Sequence, residues 1–159
     1  MKRRVVITGM GAVTPIGNTV EELWAGVKAG TCGIGPIAAY DASAQKVKLA
    51  AEVNGLDVAA KVGKAARKMD RFTQLALLAA REAYAQSGAG PENTDLTRAG
   101  VIFSSGIGGL PVIEQEHNRG MERGHDRVSP FFIPMCISNM AAGTIAIDLG
   151  LRGMCTCVV

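Results

Sequence analysis

Three short β-branched or apolar runs, Arg4–Thr8, Ala99–Ser104 and Thr156–Val159, stand far apart, and the residues between them carry helical rather than alternating periodicity. Strands spaced this way are too distant for hairpins. They meet in parallel through helical crossovers, and the helices then cover both faces of the sheet. An α/β fold is therefore expected. Glycine follows the first two runs at once, as Gly9 and Gly11 and as Gly106, Gly108 and Gly109. The 20 glycines follow no fixed period, so they mark turns between elements rather than low complexity.

The helices announce themselves by caps and stops. Thr19-x-x-Glu22 is a capping box ahead of Leu23, Trp24 and Val27, with Gly30 as the stop. Residues 31–56 carry the breakers Gly33, Gly35 and Pro36 and one candidate edge strand, Leu49–Val53. Asp57 caps a second helical stretch interrupted near Gly63. From about Ala65 the spacing of Met69, Phe72, Leu75, Ala76, Ala79, Ala80 and Ala83 predicts a core helix that ends at Ser87-Gly88. Its alanines imply close contact with a neighbour. Leu110–Met121 reads as a helix with Pro111 in its first turn, and 122–130 as a charged loop. Pro134–Leu149 reads as one further buried helix in which Gly143 permits close approach, and Gly150 and Gly153 turn the chain into the last strand.

A chain of 159 residues that is 48% apolar and 19% charged can bury a core as one unit. A net charge of +3 with 4% aromatics does not point to nucleic acid. The basic start Met1–Arg4 is followed by only Val5-Val6-Ile7, too short an apolar run for a secretory leader, and no run approaches a membrane span. The protein is expected in the cytoplasm, without membrane insertion. Cys32, Cys136, Cys155 and Cys157 lack CxxC spacing and read as packed thiols rather than disulfide partners.

Several chemistries fail on spacing. A dinucleotide fingerprint needs a third glycine where Thr14 stands, and Pro15 follows, so no helix opens there. The Gly106–Gly109 run has no lysine in the place a phosphate loop requires. Cys155 and Cys157, two apart in a strand, are poorly spaced for tetrahedral zinc, and His117 and His125 flank a charged, solvated loop. No cofactor or metal is expected. What remains is a cluster of cations, Lys61, Lys64, Arg67, Lys68 and Arg71. The spacing of the last four puts them on one helical face, where like charges repel, so an acidic partner is the functional alternative to a solvated face. Ile107, a bulky side chain among glycines, either covers the sheet end or lines a pocket.

Three segments resemble the β-ketoacyl-acyl-carrier-protein synthases, the condensing enzymes of fatty acid synthesis, and best of all the synthase II branch. They are Val5–Gly17, Ser105–Leu110 and Ser129–Gly143, in the family's order and at similar spacing. Met154 departs from the pattern, which has proline there. The resemblance implies a thiolase-like α/β fold with a parallel-rich mixed sheet, of which residues 1–159 would form an incomplete first half. It places the nucleophilic cysteine three residues beyond Val159, so no catalytic residue falls within the chain and the fragment alone should be inactive. It further implies acyl carrier protein as partner, loaded with acyl or malonyl groups, docking on Lys64, Arg67, Lys68 and Arg127. Ile107, Phe132, Ile133 and Ile137 match acyl-pocket positions near the interface of a homodimer. A polyketide-type ketosynthase and a non-catalytic dimerisation or carrier-docking fragment are the other readings.

Overall fold

The structure, a computed structural model, describes residues 4–159, so the basic residues Met1–Arg3 lie outside it. In chain order the elements are α1 (Val20–Lys28), β1 (Ile34–Pro36), β2 (Leu49–Ala51), α2 (Val58–Val62), a 3-10 turn (Gly63–Lys68) and α3 (Arg71–Ser87). Then come β3 (Val101–Ser104), α4 (Leu110–Arg123), a second 3-10 turn (His125–Arg127), α5 (Phe132–Cys136), α6 (Met140–Leu149) and β4 (Cys155–Val158).

The parallel pair expected of widely separated strands is present. β3 and β4 lie side by side in the register Val101↔Cys155, Ile102↔Thr156, Phe103↔Cys157, Ser104↔Val158. α6 is the crossover that leads into β4, and Gly150, at φ +69°, turns the chain out of that helix. The core forms where α3, α6 and β3 meet, from Ala76, Leu77, Val101, Ala141, Ala142 and Ile145. Small residues at 76, 141 and 142 let the two helices approach, as the alanine stripe implied. Gly143 plays no such part, since a Cβ there would meet nothing within 4 Å.

The expected strand at Arg4–Thr8 does not form. Residues 4–8 pair with no strand among the described residues, and Val5 and Ile7 are 92% and 84% exposed. A strand exists only when a neighbour takes up its backbone groups, and β3 is paired with β4 alone. The loop after it is held instead by α3. Met10 N donates to Gln86 Oε1 at 2.6 Å, and the Glu82 carboxylate accepts from Ala12 N at 2.9 Å and from Val20 N at 2.8 Å. Gly9 and Gly11 lie directly on the α3 backbone, where any Cβ would collide with the carbonyls of Ala83 and Ala79. Close approach, rather than a turn conformation, requires glycine at both positions.

Two predicted helices prove to be broken. The helix expected from Ala65 starts at Arg71, because Asp70 leaves helical geometry and its Oδ1 accepts from Phe72 N at 3.2 Å. Gln74 Nε2 seals the gap by donating to Ala66 O and Met69 O. The four cations therefore do not share one helical face. The helix expected over Pro134–Leu149 divides at Ile137, whose ψ of 139° is extended. Cys136 O, which a continuous helix would offer to residue 140, accepts instead from Gly109 N at 2.8 Å.

An ion pair ties the helices together. Arg81 on α3 donates Nε to Asp148 Oδ2 at 2.8 Å and Nη2 to Oδ1 at 2.5 Å, while its Nη1 reaches Lys61 O at 2.9 Å. The hydrogen bond from Arg81 holds the Asp148 carboxyl below its ordinary range, against a smaller opposing effect of partial burial. A carboxylate depressed on folding stabilises above its unfolded pKa of about 3.9 and loses that contribution as pH falls through the folded value. Asp148→Asn should therefore be less stable than the parent above pH ~5, by on the order of 1 kcal/mol for a partly exposed pair. The two melting temperatures should converge on acidification below pH ~4, and a gap that persists there would contradict the assignment.

Candidate functional site

Of the cations singled out in the sequence, Lys64, Arg67, Lys68 and Arg127 lie on the two 3-10 turns, Lys61 on α2 and Arg71 at the start of α3. Asp57 opens α2 by accepting from Ala60 N at 2.9 Å, and Gly63, at φ +75°, ends that helix after a single turn. The chain is thereby forced into Gly63–Lys68, with Ala66 turned inward and Lys64, Arg67 and Lys68 outward. Arg71 is engaged elsewhere, donating Nη2 to Val53 O at 3.1 Å. Lys68 Nζ stands 4.6 Å from the centroid of the Phe131 ring, a cation–π contact.

That contact links the basic turn to the segment that follows Arg127. Arg127 is itself exposed and faces Asp126 at 3.6 Å, a weak solvated pair. Glu116, buried on α4, accepts from Ser129 N at 2.8 Å and pairs with Arg119 at 2.8 Å, which fixes where the segment begins. Lys68 then meets it at Phe131. Neither Phe131 nor Glu116 was marked as functional in the sequence; an aromatic beside a proline and a glutamate in a charged helix carry no local signal for these contacts.

The Gly106–Gly109 loop is clamped to the end of α5. Ser105 Oγ accepts from Gly108 N at 3.0 Å, Gly109 N bonds Cys136 O, and Gly108, at φ +79°, lies so close to Cys136 O that no side chain would fit. Ile107 projects from this loop, 64% exposed, and its neighbour Gly108 lies against Cys136 and Ser138, the residues that bracket Ile137. Ile133 and Ile137, one turn apart, are also exposed, at 54% and 38%. Phe132 faces elsewhere. It lines a cavity of about 210 Å³ against α4 with Ile113, Val128 and His125.

The thiols and imidazoles offer no catalytic constellation. Cys136 is buried at the last residue of α5, and Cys157 is half-buried in β4. Cys32 and Cys155 depart from expectation by being exposed, Cys32 in the segment between α1 and β1 and Cys155 at the first residue of β4. None of the four thiols sits at a helix N-terminus, the setting that depresses a thiol pKa. Both histidines are exposed, and among the described residues no three His, Cys, Asp or Glu side chains converge as metal ligands. No helix among them is long and apolar enough to cross a membrane.

The α/β fold is that of the thiolase-like ketosynthases. A Beta-ketoacyl synthase from Burkholderia phymatum STM815 superposes with a TM-score of 0.79 at 28% identity, over 99% of this chain and 39% of that one. The family model described as "Beta-ketoacyl synthase, N-terminal domain" matches residues 2–159, and the chain belongs to this family. It is 42% identical over 159 residues to the 3-oxoacyl-[acyl-carrier-protein] synthase 2 of Synechocystis sp.. It is 45% identical over 152 residues to the protein of the same name in Staphylococcus aureus (strain N315). These alignments cover 99% and 95% of this chain but 38% and 37% of the relatives, so the chain spans under two fifths of their length.

Proposed function

We propose that the intact protein is a 3-oxoacyl-acyl-carrier-protein synthase of the synthase 2 type. The observation that carries this is identity of 42% and 45% with relatives of that name along nearly the whole chain. In the proposed reaction an acyl group is held as an enzyme thioester, and malonyl on a carrier protein loses carbon dioxide. The carbanion so formed attacks the acyl carbonyl, a carbon–carbon bond forms, and the carbon–sulfur bond breaks to release the enzyme thiolate. A thiol suits the role because its thiolate is both nucleophile and leaving group. The reacting cysteine is assigned to the part of the relatives' length that this chain does not span.

Within the chain, Lys64, Arg67, Lys68 and Arg127 are proposed to receive the acidic carrier protein. They are exposed, and the Lys68–Phe131 contact brings the first three toward the segment that follows Arg127. Ile107, Ile133 and Ile137 are proposed to border the acyl chain, with Phe132 supporting them from the α4 side. The exposure of these isoleucines suits a homodimer, a partner copy completing the pocket, and cytoplasmic residence follows from the carrier-bound substrates.

The test is a condensation assay on the intact protein with acyl- and malonyl-carrier protein. A 3-oxoacyl product two carbons longer, formed with loss of carbon dioxide, is expected, and its absence with both substrates loaded would refute the proposal. Ile107→Ala should relax chain-length discrimination. Each methylene accommodated or excluded contributes about 1 kcal/mol, so the ratio of kcat/KM between adjacent chain lengths should shift about fivefold. An unaltered product spectrum would remove Ile107 from the pocket.

A further inference from the structure

Asp70 is a buried carboxylate, 5% exposed, and among the described residues it has no ion pair within 4.0 Å, although Arg67, Lys68 and Arg71 are close in sequence. Holding a charge out of water is costly unless something nearby favours it. Capping α3 through Phe72 N would be served as well by serine or threonine, so the cap alone does not explain an aspartate. The carboxyl also lies against Gly109. A Cβ built on Gly109 would stand 2.9 Å from Asp70 Cγ, 3.0 Å from Oδ2 and 2.9 Å from Met135 O.

Gly109 heads α4, whose first turn receives no side-chain cap. The amides and dipole at a helix start favour a negative charge. The Asp70 carboxylate thus lies between the starts of α3 and α4, in contact with the residue whose N–H is bound to Cys136 O. Three segments meet there: the basic turn, the loop that carries Ile107, and α5.

We propose that Asp70 is a positioning residue that fixes the Gly106–Gly109 loop against α5 and thereby sets where Ile107 projects. Since Asp70 follows the Gly63–Lys68 turn by two residues and caps α3 directly after it, the proposed carrier-docking surface and the proposed acyl-pocket residue share one rigid support. This consequence for specificity rests on the function proposed above; the positioning itself does not.

Asp70→Ser keeps an acceptor for Phe72 N but is too short to reach Gly109, whereas Asp70→Asn keeps both length and cap. Amide hydrogen exchange in the intact protein should rise about tenfold at Gly108 and Gly109 for Asp70→Ser, with α3 still protected and Asp70→Asn, which keeps the length and loses the charge, between Asp70→Ser and the parent. Gly109→Ala, which forces the loop off Asp70 and Met135, should raise the same amides and provides a second route if the serine variant folds poorly. Unchanged loop exchange in both variants would overturn the proposal. In the condensation assay Asp70→Ser should shift the chain-length ratio at least threefold in the direction of Ile107→Ala. A shift for Ile107→Ala with none for Asp70→Ser would overturn the link to specificity. Faster loop exchange with no shift for either variant would support the positioning and refute Ile107 as a pocket residue.

Discussion

Leu77→Ala should lower the unfolding free energy by about 4 kcal/mol, toward the upper part of the ~2–5 kcal/mol range for leucine truncation in a core. Leu77 is the one large side chain with no exposure among the described residues, at the centre of the α3–α6–β3 cluster. Its neighbours Ala76, Ala141 and Ala142 are too small to swing into the void. Collapse would require α3 and α6 to move, and Arg81 on Asp148 restrains them. The cavity should therefore stay open, and its lining loses contacts it cannot replace. Leu110→Ala is the control, because that leucine is 53% exposed, and it should change stability by no more than about 0.5 kcal/mol. Urea unfolding of the two variants measures the contrast, and equal effects would mean that the core lies elsewhere.

Neutralising Lys64, Arg67 and Lys68 together to alanine should raise KM for carrier-linked substrates about tenfold at low salt while leaving kcat close to the parent value. Three exposed cations on one turn act mainly on encounter with an acidic partner, an effect that ionic strength screens. The difference should shrink severalfold as salt approaches ~0.5 M, where the screening length falls to a few ångströms. Lys68 has a second role through Phe131, so Lys68→Ala alone should also loosen the start of α5, by about 0.5–1 kcal/mol for an exposed cation–π contact. Lys64→Ala and Arg67→Ala should not. A KM for carrier substrates that stays at the parent value in low salt would show that the turn is no docking site.

What the sequence made legible were features whose cause is local. Thr19, Asp57 and Gly88 act as caps because cap chemistry involves residues within one turn, and the short strand near Leu49 was visible between its breakers. The two helix breaks were not. The apolar spacing from Met69 to Phe72 runs straight through the Asp70 cap, and the break at Ile137 comes from Gly109, a residue on another element. Gly9 and Gly11 looked like turn glycines because close approach to α3 is a tertiary fact. Arg4–Thr8 has strand composition, yet a strand needs a neighbour that composition cannot supply. Among the candidate site residues, the basic turn stood out by charge alone. Its pairing with Phe131 and the contact of Asp70 with Gly109 depend on packing between segments distant in sequence.

The most direct measurement is the location of the acyl group. The intact protein, incubated with acyl-carrier protein alone and then digested, should carry one acyl thioester that mass spectrometry maps to a cysteine outside residues 1–159. Cys32, Cys136, Cys155 and Cys157 should remain unmodified, since none occupies a helix start. An acyl group found on any of these four, or a protein that takes up none, would contradict the view that this chain is the scaffold and docking face of a condensing enzyme whose reactive sulfur lies elsewhere.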